Sequence, residues 1–359
     1  MRILVINCGS TTLKYKLYGA QERGLSVLAA ASVPMKAGDE APIARVLAAL
    51  PAPPDAVAHR VVHGGDRFTR TVRVDSGILR QLHELTPLAP LHNGPALRAL
   101  EITRTLGVPI IAAFDTAFFA DLPARARRYA LPPLPGVHRY GFHGWSHRFV
   151  MKRLATLSGD DEPTFVSLHL GSGCSAAAVR RGKPVDISMG YSPLEGLIMG
   201  TRAGDVDPGV LLHLLQEGWD AQKLGRLLHH EAGLKALAGT ADMRELLSRT
   251  DAEAQEAVEL FCYRAVKYAG AYLAALEGEA QAIAFTGGIG ENASDIRQRI
   301  CRCLEWAGLR LDLQRNARGE ERISAEGSPL SAYAIRTDEE AGIAEEALRL
   351  LQESPTPHL

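Results

Sequence analysis

Three glycine-rich turns, each placed after an apolar run, are the segments of this chain best suited to chemistry. They read NCGSTT at 7–12, HLGSGCS at 169–175 and TGGIGEN at 286–292. Because glycine has no Cβ, its backbone can approach a phosphate closely and direct N–H groups at it. One such turn is common in proteins that bind no phosphate, but three at strand ends indicate a phosphate site. The chain has no GxxxxGK[ST] motif, so it is not a P-loop protein.

A dinucleotide site is the weaker alternative for two of these turns. GSGCSA at 171–176 and GIGENA at 288–293 both fit the pattern GxGxxA. That fingerprint requires a helix directly after the glycines. The residues after the first turn, AAVRRGKPV at 177–185, have the pattern of a strand instead. A dinucleotide-binding enzyme is therefore kept only as a minor alternative.

Two charged residues lie at the ends of apolar segments. Arg60 is part of HRVVHGG, and its guanidinium could form a two-point contact with a carboxylate or a phosphate. The plainer interpretation of Arg60 is a surface salt bridge. Asp115 follows the run VPIIAAF, where an unpaired carboxylate would cost several kcal/mol. We therefore expect Asp115 to be paired, to bind a cation or to take part in catalysis.

Histidine pairs and one long loop complete the candidates. His59 and His63, like His143 and His147, are four residues apart, but neither segment reads as a helix that could present a zinc face. The segment 186–209 is long, glycine-rich and apolar, and contains Arg202. A loop of this length is usually functional or disordered, and its apolar content favours function.

The elements that must position these residues suggest a duplicated α/β protein. Residues 3–18 and 165–188 both read as strand, glycine turn and strand, with Asn7 and His169 at equivalent places. The pattern predicts two related lobes with a ligand where the two turns face each other. We also predict helices at 250–277, with a capping box of Thr250 and Glu253, and at 337–351, with Thr337 and Glu340. Segment 19–56 gives no clear pattern.

Composition is that of a globular protein without a nucleic-acid or membrane partner. Hydrophobic residues make up 46% of the 359 residues, and 40 basic side chains balance 41 acidic ones. A nucleic-acid binder usually has a basic domain or stripe. No apolar run reaches the roughly 18 residues that a membrane helix needs. The amino terminus has no cleavable signal pattern, so we expect a cytoplasmic protein.

Taken together, the motifs resemble those of the acetate kinase family, within the superfamily of actin, the 70-kDa chaperones and the sugar kinases. The resemblance implies an α/β fold of two duplicated lobes of the actin-like ATPase (ribonuclease H-like) type with a central cleft. It places the first lobe at 1–116 plus 338–352, the second at 117–337, and a disordered tail at 353–359. The motifs occur in family order: ILVINCGSTTLK, HRVVHGG, LAPLHN, FDTAFF, RYGFHGWSH, HLGSGCS, SMGYSPLEGLIMGTRAGDVDPG, ADMREL, FTGGIGEN and IRTDEE.

The resemblance also implies a role for each matching position. The catalytic residues would be Asp115, His143 and Arg202. The acid would be held by Arg60, with its methyl group in a pocket of Val62, Leu91, Phe142 and Pro193. The magnesium ion would be held by Asn7 and Glu339. The nucleotide would be bound by Lys14, His169, Leu170, Gly171, Ser172, Gly173, Asp242, Met243, Arg244, Gly288, Ile289, Gly290, Glu291 and Asn292.

The implied activity is reversible transfer of the ATP γ-phosphoryl group to acetate, with propionate as another acceptor. A carboxylate acceptor is already ionised at neutral pH, so Asp115 would orient the acceptor or the metal rather than act as a base. The resemblance further implies Mg²⁺ and a homodimer. An actin- or chaperone-like ATPase switch without a small-acid substrate is the alternative. This chain differs from the usual family pattern at Ser172, which replaces Asn, and in a shorter segment 19–56.

Overall fold

The computed structural model describes residues 1–9, 12–21, 24–35 and 41–353, without the side chains of Pro90, Leu91 and His92. The chain forms two compact units. One contains the described residues of Met1–Ala120 and those from Asp338 to Glu353, and the other contains Asp121–Thr337. Part of the first glycine turn, Ser10 and Thr11, lies outside the described residues. So does the predicted carboxy-terminal tail beyond Glu353.

The first unit is built on a sheet that has six strands in the described residues, in the order β3-β2-β1-β4-β6-β5. β1 pairs antiparallel with β2, whereas β1, β4 and β6 run parallel to one another. The carboxyl ends of these three parallel strands therefore meet at one edge of the sheet. The strands are β1 (Arg2–Cys8), β2 (Thr12–Gln21), β3 (Gly24–Pro34), β4 (Ala56–Val61), β5 (Val72–Arg73) and β6 (Ile110–Phe114).

Amphipathic helices pack against this sheet. The parallel strands consist mainly of apolar residues and are buried over almost their whole length, as in other covered parallel sheets. Helix α2 begins where Asp75 accepts a hydrogen bond from the backbone N–H of Ile78. The helices are α1 (Ala41–Ala49), α2 (Ser76–Glu84), α3 (Pro90–Arg104), the 3-10 helices Thr86–Leu88 and Asp115–Phe119, and the carboxy-terminal helix Glu339–Glu353.

The second unit repeats the strand order of the first. Its sheet has five strands in the described residues, ordered β11-β10-β7-β8-β9, with β7–β8–β9 antiparallel and β7, β10 and β11 parallel. The corresponding strands of the first unit, in the same order and with the same parallel and antiparallel pairings, are β6, β4, β1, β2 and β3. The predicted duplication is therefore confirmed. The strands are β7 (Phe165–Leu170), β8 (Cys174–Arg180), β9 (Lys183–Ile187), β10 (Ala282–Thr286) and β11 (Ser331–Ala334).

In the second unit, the residues GGIGEN of the third glycine-rich motif form a short helix rather than the turn that the sequence pattern predicts. The helices are α4 (Ala124–Arg127), α5 (Gly144–Ser158), α6 (Pro208–Gln216), α7 (Ala221–Arg226), α8 (Gly233–Ala238), α9 (Met243–Ser248), α10 (Ala252–Ala275), α11 (Gly287–Asn292), α12 (Ser294–Arg302), α13 (Leu313–Arg318), the π-helical turn Leu227–Glu231 and the 3-10 helix Glu305–Ala307.

Both predicted capping boxes are wrong. Helix α10 is capped by Asp251, which accepts from the N–H of Ala254 over 3.1 Å. The carboxy-terminal helix starts at Glu339, and Asp338 accepts from the N–H of Ala341 over 2.9 Å. In each case an aspartate directly after the predicted threonine takes the cap, because Asp caps a helix at least as well as Thr.

Candidate active site

Arg60 and Asp115 lie at the carboxyl ends of two neighbouring parallel strands of the first unit. Arg60 is in β4 and Asp115 directly follows β6. The Arg60 Nε donates to Asp115 Oδ1 over 2.8 Å, and its Nη2 donates to Oδ2 over 2.5 Å. Its Nη1 also donates to Asn7 Oδ1 over 3.2 Å. The Asp115 side chain, only 1% exposed, is therefore paired, which is one of the three states expected from the sequence.

Further polar and charged residues lie around this ion pair. Asn7, at the end of β1, lies directly opposite Lys14 of β2. Glu339, in the first turn of the carboxy-terminal helix, has its Oε2 3.7 Å from Arg60 Nε. Glu340 has its Oε1 3.4 Å from Asn7 Nδ2 and its Oε2 3.7 Å from the ammonium group of Lys16. Glu340 and Lys16 were not predicted as site residues.

Charges in this cluster shift the pKa values of two groups. Burial opposes the charge of Arg60, but Asp115 and Glu339 outweigh it and raise the pKa of the guanidinium above its ordinary value. Burial raises the pKa of Glu339, and Asp115 and Glu340 add to that rise against Arg60 and Lys14. The negative charge of Glu339 is therefore disfavoured by burial and by its carboxylate neighbours.

Oxygen ligands of the kind that Mg²⁺ prefers are present in this cluster. Asn7 offers an amide oxygen and Glu339 a carboxylate. Across residues 1–9, 12–21, 24–35 and 41–353, no set of three or more His, Cys, Asp or Glu side chains is arranged to hold a metal. Mg²⁺ often binds through one or two carboxylates and completes its shell with water and substrate phosphates. Asn7 and Glu339 therefore fit a magnesium ion that arrives with a nucleotide.

The four predicted pocket residues fall on separate segments. Val62 follows β4 and is half-buried, whereas the side chain of Leu91 lies outside the described part of the chain. Phe142 and Pro193 belong to the second unit, and both are buried. The backbone oxygen of Pro193 accepts a hydrogen bond from Arg202 Nη1 over 2.7 Å.

Two glycine-containing segments of the second unit follow neighbouring parallel strands. His169 of β7 lies opposite Thr286 of β10. A Cβ on Gly171 would lie 3.7 Å from the backbone nitrogen of Gly288, so the segments 171–173 and 287–292 are adjacent. Gly287 has φ +76°, and a Cβ there would lie 2.7 Å from the Leu170 oxygen. Only glycine fits this close approach.

Two potential cations converge on Gly173. A Cβ on this glycine would lie 2.7 Å from Arg202 Nη2 and 3.1 Å from His143 Nε2. Partial burial lowers the pKa of Arg202 below its ordinary value, and no carboxylate pairs with it among the residues that the structure describes. A guanidinium keeps its charge in proteins. This arrangement therefore presents a fixed positive charge, beside an imidazole, at a glycine turn.

Hydrogen bonds orient the imidazole. His143, at φ +57°, immediately precedes α5 and stacks on His169 with ring centroids 4.2 Å apart. Its Nδ1 lies 3.0 Å from Ser175 Oγ, which is also 2.8 Å from Nε2 of His147. Ser146 Oγ lies 2.7 Å from His169 Nδ1. Ser175 and Ser146 were missed from the sequence, although Ser175 lies within the motif HLGSGCS.

The predicted segment Asp242–Arg244 follows Ala241, which contacts Gly200, and Gly200 in turn is hydrogen-bonded to the glycine turn at Ser172. Asp242 caps α9, and it accepts two hydrogen bonds from the guanidinium of Arg244, which lower the pKa of Asp242 to about 2. Ala241 Cβ is 3.2 Å from the position of a Cβ on Gly200. The N–H of Gly200 donates to the backbone oxygen of Ser172 over 3.1 Å.

Known proteins resemble this chain over most of its length. An acetate kinase of Chloroherpeton thalassium is 47% identical over 313 residues, which cover 82% of this chain and 75% of that protein. A crystal structure of Porphyromonas gingivalis acetate kinase matches with a TM-score of 0.88 at 34% identity, covering 98% and 99% of the two chains. A propionate kinase structure from Francisella tularensis matches with a TM-score of 0.86 at 31% identity, covering 96% and 98%.

These matches and the repeated sheet topology confirm the predicted fold class, α/β with two duplicated lobes of the actin-like ATPase type. In the described residues, no helix has both the length and the apolar character needed to cross a membrane. The profile of the Acetokinase family matches residues 45–345. This chain therefore belongs to the acetokinase family.

Proposed function

We propose that this protein is an acetate kinase, which transfers the γ-phosphoryl group of ATP to acetate and catalyses the reverse reaction from acetyl phosphate and ADP. The observation that carries the proposal is the convergence of Arg202 and His143 on Gly173, beside the glycine segment at 287–292. A phosphoryl group in transfer carries charge on its equatorial oxygens, and catalysis depends mainly on alignment and on cations around those oxygens. We assign that role to Arg202 and His143.

Arg60 is proposed to hold the acid. Asp115 and Asn7 use three of its five N–H donors within the described part of the chain, so two donors remain for a substrate carboxylate. Asp115 keeps the guanidinium in place and, in this proposal, helps to orient the acceptor. The methyl group of the acid would contact Val62, Leu91, Phe142 and Pro193. We propose acetate as the preferred acid and propionate as a second acceptor.

Magnesium is proposed as the metal, held by Asn7 and Glu339. When bound, Mg²⁺ would neutralise charge on the nucleotide phosphates. The amide oxygen of Asn7 and the carboxylate of Glu339 support this assignment, because Mg²⁺ prefers oxygen ligands. The nucleotide is proposed to bind to Lys14, His169, Leu170, Gly171, Ser172, Gly173, Asp242, Met243, Arg244, Gly288, Ile289, Gly290, Glu291 and Asn292.

The proposal is tested by trapping the product. Purified protein is incubated with ATP, Mg²⁺ and one acid from a series of two to four carbons, and acyl phosphate is converted to its hydroxamate by hydroxylamine. We expect acetate to give the highest kcat/KM. If no acid in the series gave hydroxamate, the acetate kinase assignment would be wrong. Slow ATP hydrolysis that acetate does not change would favour the ATPase switch instead.

We propose a homodimer from the exposed apolar side chains of α6, together with the family resemblance. None of the nine residues of α6 is buried, and Val210, Leu212 and Leu215 are 48%, 61% and 45% exposed. Large apolar side chains exposed on more than one side of a helix indicate a contact with another protein. We assign a second copy of this chain as the partner. Leu212→Glu should reduce the mass measured by light scattering to that of a monomer, whereas Leu131→Glu, at another exposed leucine, should not.

A cytoplasmic location is also proposed, because the reaction draws on the ATP and ADP of that compartment.

A further inference from the structure

The hydroxyl of Ser175 links two imidazoles of the second unit. Its Oγ lies 3.0 Å from Nδ1 of His143 and 2.8 Å from Nε2 of His147. Ser175 is fully buried, and within the described part of the chain these two nitrogens are the only hydrogen-bond partners of its hydroxyl. A hydroxyl has a single proton. Ser175 can therefore donate to one of the two imidazoles and accept from the other.

Ser167 sets the direction of these hydrogen bonds. It lies in β7, and its backbone pairs with β8 on one side and β10 on the other. Its Oγ is also fully buried and lies 2.9 Å from Nδ1 of His147, which is the only acceptor for its proton among the described residues. A buried hydroxyl rarely leaves its proton without an acceptor. Ser167 therefore donates to Nδ1 of His147.

His147 transmits this direction to Ser175. Burial lowers the pKa of His147 well below its usual value, and the neighbouring His169 adds to the effect, so the His147 imidazole is neutral. A neutral imidazole has one N–H and one lone pair. Because Nδ1 accepts from Ser167, the proton of His147 is on Nε2, and this N–H donates to Ser175. Ser175 must then donate to Nδ1 of His143.

The other ring nitrogen of His143 faces the glycine turn. A Cβ on Gly173 would lie 3.1 Å from this Nε2 and 2.7 Å from Arg202 Nη2. Because Nδ1 accepts from Ser175, a neutral His143 carries its proton on Nε2. In an imidazolium, Nδ1–H would also point at Ser175 Oγ, and the hydroxyl proton of Ser175 would lose its acceptor. The hydrogen bonds therefore favour the neutral imidazole over the imidazolium.

The titratable and charged groups around His143 act in the same direction. They are His147 from α5, His169 from β7 and Arg202 from the segment between β9 and α6. The His169 ring stacks on His143 with ring centroids 4.2 Å apart. The guanidinium of Arg202 keeps its charge. A cation so close disfavours a second positive charge on the His143 ring.

We propose that Ser167, His147 and Ser175 are positioning residues that hold His143 as a neutral imidazole with its proton on Nε2. The proposal rests on the proposed function, in which His143 contacts the phosphoryl group, and it refines the role of that residue. His143 contributes a hydrogen bond from Nε2 to a phosphoryl oxygen, while Arg202 contributes the positive charge. His143 keeps its proton throughout, because the acceptor carboxylate is already ionised.

The test identifies the protonated nitrogen directly. The full-length chain, labelled with ¹⁵N-histidine, is studied by long-range ¹H–¹⁵N NMR at pH 7 without substrates, and the His143 signals are identified by their loss in His143→Asn. The variants are Ser175→Ala and Ser167→Ala. Ser324→Ala, which removes another fully buried hydroxyl of the same unit, is the matched control. For wild type we expect the pattern of a His143 imidazole protonated at Nε2 alone.

In Ser175→Ala we expect a measurable population of His143 protonated at Nδ1, because no donor then holds that nitrogen as an acceptor. Its kcat for acetyl phosphate formation should fall by about tenfold, less than the roughly hundredfold loss typical when a stabilising donor is removed, with KM for ATP and acetate nearly unchanged. Ser167→Ala should shift the His143 tautomer in the same direction, although the hydroxyl it removes bonds to His147. Ser324→Ala should match wild type in both measurements.

The proposal is overturned if His143 of the wild type is an imidazolium or is protonated at Nδ1 alone, or if folded Ser175→Ala keeps the wild-type tautomer. Ser167→Ala decides by the same criterion if Ser175→Ala does not fold. The proposed function can fail separately. A wild-type protein that forms no acyl phosphate would contradict it, while the NMR spectra, recorded without substrates, would still report the protonation of His143.

Discussion

Arg60 and Asp115 form a two-point ion pair that joins the ends of two parallel strands, with the carboxylate almost completely buried. A buried carboxylate is tolerated because the guanidinium offers two aligned donors and Asn7 accepts from a third. The pair leaves part of the guanidinium available for an acid. In the proposed function, the geometry of the acid site therefore depends on Arg60 being an arginine and not merely a cation.

Arg60→Lys should raise KM for acetate by about ten- to a hundredfold, because an ammonium group cannot contact Asp115 and a substrate carboxylate with paired donors. KM for ATP should change much less. Steady-state kinetics with acetate and ATP varied in turn would measure both values. Arg73→Lys, at an exposed arginine of the same unit, is the control. An unchanged KM for acetate would show that Arg60 does not hold the acid.

Gly173→Ala should lower kcat by about a hundredfold, because the new methyl group would displace Arg202 and His143 from their positions and loss of one stabilising group typically costs that much. Gly225→Ala is a matched control, since a Cβ at that position of α7 meets nothing within 4 Å. Rates of acetyl phosphate formation compare the two variants. If Gly173→Ala retained wild-type kcat, the assignment of Arg202 and His143 to the phosphoryl group would be contradicted.

Val62→Ala should improve the use of propionate and butyrate relative to acetate. The change removes two methyl carbons from the proposed pocket, and one methylene typically changes discrimination by about 1–3 kcal/mol. The measurement is kcat/KM for each acid of the series. A chain-length profile identical to that of wild type would remove Val62 from the pocket.

Burial of the His59 imidazole should make the folded protein less stable in mild acid than at neutral pH. The imidazole is buried, its Nε2 lies 2.7 Å from Thr103 Oγ1, and burial lowers its pKa from 6.5 to about 3. The unfolded chain therefore binds a proton between pH 6.5 and about 3 that the folded chain does not, so the free energy of unfolding falls as pH falls through this range.

His59→Gln should reduce this slope by up to about 1.4 kcal/mol per pH unit, because the variant has no imidazole to protonate. Urea unfolding of both proteins between pH 4 and 7 gives the comparison, and the carboxylates that titrate in both proteins cancel. Parallel curves for wild type and His59→Gln would show that His59 is already protonated, or accessible to protons, in the folded chain.

Buried parallel strands were the most predictable part of the fold. Strands β4, β6 and β7 consist mainly of buried apolar residues, so these strands and the polar residues at their ends, Arg60, Asp115 and His169, could be placed from sequence. Segment 19–56 could not be assigned, and it contains β3 and α1. Most of β3 is exposed or half-buried, so it lacks the strict alternation that identifies a strand.

The contacts between site residues were less predictable from the sequence than the residues themselves. Arg60 and Asp115 were singled out separately, but their pairing depends on β4 and β6 being neighbours, which no local pattern specifies. The same limit applies to Glu291 and Thr337. The sequence pattern predicts a helix cap at Thr337, whereas in the structure its hydroxyl donates to Glu291 and Asp338 caps the helix.

The central claim is that a carboxylate oxygen of acetate attacks the γ-phosphorus of ATP. It is tested most directly by ³¹P NMR of the product formed from ATP, Mg²⁺ and acetate labelled with ¹⁸O in both oxygens. We expect acetyl phosphate whose bridging oxygen carries ¹⁸O, with formation lost in Arg202→Ala. Release of unlabelled inorganic phosphate alone, at a rate independent of acetate, would contradict the account.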